Sequence, residues 1–212
     1  MLPAPTLKHV LYHRKRDDNT LCCILLAPTF SKVGKEGVIP RLGYLNDRSG
    51  IHVHFYCAGY GGYWHPSTFP DMEDLGEIRY DNGCVIPWAF SQRQFASFVD
   101  ELEGKTSWRY TGESDLILLN SNVDFSSCLI YDIEAMIGDG VISRASELFE
   151  AIIQYSRTIK KTKSAYDLSD KEGMRVLTEE MGAAIIGCLP KPAQAIWKKG
   201  KHYAIRNIAK SA

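Results

Sequence analysis

The apolar positions of this chain fall into short, separate runs. Leu21 to Ala27 reads LCCILLA between Asn19 and Pro28, the pattern of a buried central strand. Leu116 to Asn120, LILLN, repeats it. Ile51 to Cys57 alternates instead, with Ile51, Val53, Phe55 and Cys57 on one side and His52, His54 and Tyr56 on the other. A strand covered on both faces is normally apolar on both, so this one is expected to turn its histidine face toward a polar pocket, a loop or solvent. Glu77–Tyr80 and Cys84–Trp88 flank Asp81-Asn82-Gly83, a hairpin signal, so the sheet is not purely parallel. Cys128 to Glu134 can be read as a strand that places Asp132 and Glu134 on one face at its end, or as the first turns of a helix. Leu129, Ile130 and Tyr131, followed by the turn Gly138-Asp139-Gly140, favour the strand.

Helical periodicity begins at Ser91, which stands in a capping-box position with Gln94 ahead of Phe95, Phe98, Val99 and Leu102, with Gly104 as the stop. A longer helix is expected from Ser143 to about Lys160, and a third from Ser169, with Glu172 completing its capping box, to Pro190. The passage from Thr29 to Gly50 is interrupted by Gly34, Gly37, Pro40 and Gly43, and supports only a short helix over about 40–46. A short strand is expected around His9 to Tyr12 in an edge element or loose arm, an exposed loop over His65 to Gly76, and one or two amphipathic helices over the last twenty residues. Together these predict a single α/β or α+β domain over residues 1–212. Its strand-rich core, residues 1–140, would hold a mixed sheet of about five to six strands with a hairpin, and residues 141–212 a helical layer.

Composition is that of an ordinary globular chain with zero formal net charge. No apolar run is long enough to span a bilayer and the start lacks a secretory pattern, so a cytoplasmic protein without membrane contact is expected. The six cysteines are scattered through apolar runs, without CxxC spacing, and are expected to be reduced core residues. Charge is uneven along the chain. Lys198, Lys199, Lys201 and Arg206 belong to a C-terminal stretch without carboxylate side chains, a possible nucleic-acid or acidic-partner surface and more commonly a solvated helix face.

Chemistry concentrates in two places. Gly59, Gly61 and Gly62 interleave with Tyr60, Tyr63 and Trp64 ahead of His65, so a flat ligand or a partner's side chain could stack there. His52 and His54, with His65 or Asp71, could ligate a metal, but two histidines and an unspecified third ligand do not define a site, and none is assigned. The second cluster is Asn120, Asn122 and Asp124, then Asp132 and Glu134. The loops after Ala27, Cys57 and Asn120 would converge beyond the strand ends if those strands were parallel neighbours. Phosphate-loop, dinucleotide, nucleophile-elbow, zincin and kinase motifs are all missing, and no cofactor is specified.

LCCILLAPTF, a short helix and IHVHF together resemble the opening of Toll/interleukin-receptor-like and nucleoside-deoxyribosyltransferase-like domains. The resemblance implies glycosidic cleavage by a glutamate after a later strand, which by order along the chain would be Glu134. The Asn-Gly hairpin and the acidic loop depart from that pattern. Three functions follow, in this order. The first is a noncatalytic binding domain that uses residues 59–65 and the basic C-terminal region on a protein partner or small ligand. The second is a hydrolase or glycosidase acting on a nucleotide-like molecule, and the third a nucleic-acid-binding accessory protein. Homo-oligomerisation is open if the amphipathic tail lacks an intramolecular partner.

Overall fold

The computed structural model describes residues 2–15, 20–48, 52–62, 67, 69–79, 83–119, 123–159, 180–189, 194 and 203–210. Its centre is a mixed six-stranded sheet in the order β1-β3-β2-β7-β8-β9, made of β1 (Leu2–Ala4), β2 (Leu21–Leu26), β3 (Val53–Ala58), β7 (Asp115–Leu119), β8 (Cys128–Asp132) and β9 (Tyr203–Arg206). The apolar run at Leu21 is a central strand, as its composition requires, and β2, β3 and β7 are buried along nearly their whole length. β1 and β2 run parallel to β3, whereas β7 is antiparallel to β2, β8 to β7 and β9 to β8.

Helices cover both faces. α1 (Leu7–Arg14) and α3 (Gln92–Lys105) lie together on one side of β3. The other side carries α5 (Ala145–Ile159) and a continuous helical stretch formed by a π turn (Val33–Val38), a 3-10 turn (Ile39–Arg41) and α2 (Leu42–Arg48). The alternation read from Ile51 to Cys57 is present, but both faces are covered. Phe55 packs on Phe149 of α5 with ring centroids 5.5 Å apart. On the opposite face His54 and Tyr56 meet His13 of α1, which covers the side expected to face a pocket or solvent.

That covering helix occupies the place where a short strand was expected at His9–Tyr12. Its N-cap, Thr6, accepts from the His9 N–H, and Leu7 and Val10 supply the buried face. The glycines after Thr29 also act otherwise than as breakers. A Cβ at Gly34 would stand 2.0 Å from the Pro28 carbonyl oxygen, and one at Gly37 3.1 Å from the Ala145 Cβ. They let a helix begin earlier than expected, tight against the turn after β2 and against α5.

A second, three-stranded sheet stands beside the first, in the order β4-β6-β5, with β4 (Tyr60–Gly62), β5 (Met72–Arg79) and β6 (Val85–Ser91). β5 and β6 are the expected antiparallel hairpin, with a register shift between Asp74 and Glu77. β5 starts at Met72, inside the segment expected to be loop. Ser91 caps α3, its side chain accepting from the Gln94 N–H. The helix passes through Gly104 and ends at Lys105, with Thr106 as its C-cap.

Two further corrections concern the chain's second half. Residues 128–134 satisfy both readings in turn, because β8 ends at Asp132 and α4 (Ile133–Gly138) starts at once, with Asp132 as its N-cap. Residues 203–206, expected to be helical, form β9, while α5 and residues 180–187 are helical. All six cysteines are free thiols. Among the described residues no helix is long and apolar enough to cross a membrane.

Candidate functional site

Strand direction decides which loops meet. Leu26 pairs with Asp115, and Asp115 with Asp132, so the end of β2, the start of β7 and the end of β8 share one edge of the sheet. β1 and β3 end at the same edge, where the Gly59 N–H donates to the Ala4 carbonyl. This carboxyl edge gathers the turn Pro28–Ser31, the glycine turn at Gly59, and Ser114, Asp132 and Glu134. The convergence expected of the loops after Ala27, Cys57 and Asn120 is therefore only partly met. β7 is antiparallel to β2 and Leu119 pairs with Cys22, so β7 ends at the opposite edge, and Asn120 and Asn122 lie outside the described residues.

Glu134, in the first turn of α4, is half-buried, and its Oε2 accepts the Ser114 N–H at 2.7 Å. Burial raises its proton affinity above that of an ordinary glutamate, and the Ser114 hydrogen bonds partly counter this. The Ser114 hydroxyl lies 3.1 Å from that of Ser31. Ser31 in turn donates to the Pro28 carbonyl and accepts from the Gly34 N–H, which fixes the turn after β2 against the start of β7.

Asp115 is almost fully buried and accepts the Trp108 indole N–H at 3.2 Å. Burial first, then the charges of Asp132 and Glu134, push it up to about 6, against the lowering effect of the indole hydrogen bond. Asp132 uses Oδ1 to cap α4 on the Ala135 N–H at 2.8 Å. The Tyr110 hydroxyl is buried and has no hydrogen-bond partner among the described residues. Burial, together with the negative charge of Glu134 and Asp115, pushes this phenol up to about 12.

Tyr110 continues an aromatic wall. It packs against Phe95 at 5.4 Å and Trp108 at 6.1 Å, Phe95 meets Phe30 at 6.3 Å and Phe90 at 6.0 Å, and Phe90 meets Tyr60 at 5.2 Å. Phe30, directly after β2, is 52% exposed. Phe30 meets this wall at Phe95, one ring away from Tyr110, the member that feels the charges of Glu134 and Asp115. Such an edge offers a stacking face and groups able to exchange protons. No protein-family model, curated protein or solved structure matches the chain, so the reading of this edge rests on its own geometry.

The other residues picked from sequence are dispersed. Tyr60 is fully buried, its ring on Phe90 and its hydroxyl donating to the Ala27 carbonyl at 2.8 Å, so it holds the second sheet to the first. Gly59 has φ +79, and a Cβ there would stand 2.6 Å from that of Phe95, so the glycine turn serves close packing. Trp64, His65, Asn120, Asn122, Lys198, Lys199 and Lys201 lie outside the described residues. His54 is buried under α1. His52 borders a cavity of about 70 Å³ with Asp47, Arg48 and Arg157, room for little more than water. Both histidines stand toward the amino edge, away from Glu134. Arg206 is exposed on the edge strand β9.

Among the described residues no group of three or more His, Cys, Asp or Glu side chains is placed to hold a metal. Burial pushes the Cys57 thiol up to about 12, which makes it a poor nucleophile. Sequence reasoning missed Tyr110, Asp115, Ser31 and Phe30. The available signal was Asp115 itself, a carboxylate immediately ahead of four buried apolar residues, where charge is costly unless it is used.

Proposed function

We propose that the protein is a hydrolase that cleaves a glycosidic bond in a nucleotide-like molecule, with Glu134 as the essential carboxylate. The reading is carried by the placement of Glu134, half-buried at the carboxyl edge beside the aromatic wall, with its carboxyl oriented by the Ser114 N–H at 2.7 Å. Raised proton affinity brings this glutamate closer to neutral operating conditions and makes it a stronger base. In the proposed step Glu134 takes a proton from water while the water oxygen bonds to the anomeric carbon. The glycosidic bond breaks, the departing base keeps the bonding pair, and the proton returns to it through solvent. Phe30 offers the ring face for that base.

The test is release of free base from NAD, nucleoside triphosphates and nucleosides, followed by chromatography. Turnover by the wild type should fall about 10²–10⁴-fold in Glu134→Gln, with the melting temperature unchanged. Failure of every such compound to release base would overturn the reading.

A second reading is noncatalytic binding of a small ligand or protein partner, and the exposed Phe30 ring favours it, because stacking does not need Glu134. It predicts a ligand-induced rise in melting temperature that is equal in wild type and Glu134→Gln, with no product formed.

A further inference from the structure

On the face of the sheet that carries α5, a groove of about 500 Å³ opens between the helical stretch that ends in α2, α5 with Arg144 just ahead of it, and the turn at Cys188 and Leu189. That volume is within the range of small-molecule sites. It shares no residue with the Glu134 cluster. Arg41 and Tyr44 enter from one element, Arg144, Glu147 and Gln154 from the other, and Ala151 and Leu189 supply apolar lining.

The charges in the groove are unequally engaged. Glu150 is paired with Arg48 at 2.9 Å, and the Tyr44 ring on the facing helix is half-exposed. The Arg48 partnership holds Glu150 below the usual glutamate range against the opposing effect of burial. Glu147 accepts the Ser143 N–H at 3.1 Å and lies 3.8 Å from Arg144. Arg41, by contrast, makes its only hydrogen bond among the described residues to the Glu36 carbonyl at 2.8 Å, and no carboxylate pairs with it there. The Arg41 charge is thus left over in a groove that also presents the half-exposed Tyr44 ring.

We infer that this groove is a second binding site, for a small phosphate ester that carries a planar ring, with a nucleoside monophosphate as the fitting size and chemistry. Arg41 and Arg144 take the phosphate dianion, since a guanidinium presents paired donors to its oxygens. Tyr44 stacks on the ring. Glu147 and Gln154 accept the hydroxyl and amino donors of the sugar and base.

The experiment is calorimetric titration of the full chain with AMP, adenosine and inorganic phosphate, repeated in Arg41→Gln, Arg144→Gln and Glu134→Gln. Both arginines are at the surface, so their replacement should leave the melting temperature in place. AMP should bind saturably, at least about tenfold more tightly than adenosine or phosphate alone. Each arginine substitution should weaken AMP about tenfold, the usual effect of removing one charged hydrogen-bonding partner, and Glu134→Gln should leave the affinity unchanged. Absence of saturable AMP binding, equal binding of adenosine, or indifference to both arginine substitutions would each overturn the proposal. Loss of AMP binding in Glu134→Gln would do so as well, by placing the ligand at the carboxyl edge.

Discussion

The two edges of the six-stranded sheet treat their polar groups in opposite ways. At the amino edge the Arg14 guanidinium donates to the side chain and carbonyl of Thr20, and the His13 ring is bonded to the Tyr56 hydroxyl at 2.8 Å. Each group there stabilises the docking of α1. At the carboxyl edge Glu134 and Asp115 are desolvated enough to hold protons more tightly than ordinary carboxylates, and the Tyr110 hydroxyl has no protein partner among the described residues. Polar groups engaged with one another build structure, while groups held out of water and incompletely matched carry shifted proton affinities, the mark by which candidate functional groups are picked out.

The sharpest way to break this contrast is Glu134→Gln, where a fall in turnover of about 10²–10⁴-fold corresponds to roughly 3–5 kcal/mol of barrier. Base release that survives the substitution would make the carboxyl edge as structural as the amino edge. Gly34→Ala should come next, costing on the order of 3 kcal/mol in chemical denaturation, because its Cβ meets the Pro28 carbonyl at 2.0 Å and the turn beneath the site must move.

Asp115→Asn sharpens the contrast through pH. With its value raised to about 6, Asp115 binds a proton in the folded state across a range where the unfolded chain has released it. Its favourable contribution is therefore complete below the ordinary aspartate range and is lost as pH rises through about 6. Wild type and Asp115→Asn should match below about pH 4, and the variant should gain up to about 3 kcal/mol relative to wild type above pH 6. Parallel stability curves would show that Asp115 is not desolvated. The smallest effect belongs to the amino edge, where Tyr56→Phe should cost about 1 kcal/mol of stability and leave turnover intact.

Much of the sheet was legible because burial imposes composition. LCCILLA, LILLN and the Asn-Gly hairpin state their roles locally, and so does Ser91 as a cap. What escaped depends on distant partners. His54 and Tyr56 look solvent-facing until α1 is laid over them, and α1 was hidden because its sequence, LKHVLYHR, has little helical amphipathicity. Residues 203–206 alternate too briefly among lysines to announce a strand, and become one only beside β8. For the site, order along the chain pointed to Glu134 but not to Asp115 or Tyr110. The antiparallel entry of β7, invisible in local pattern, brings Asp115 to that edge and Leu119 to the other.

The Ser31–Ser114 contact joins positions 83 apart in sequence, and the strands they border pair along their full length only when that span has closed. Such distant pairing slows folding, because chain entropy is lost before the contacts that offset it can form. The parallel unit from β1 to β3 can organise early, whereas the niche around Glu134 needs β7 and β8 laid against it. In a refolding experiment catalytic competence should consequently lag behind the recovery of helical circular dichroism, so that the carboxyl edge is among the last parts of the molecule to mature.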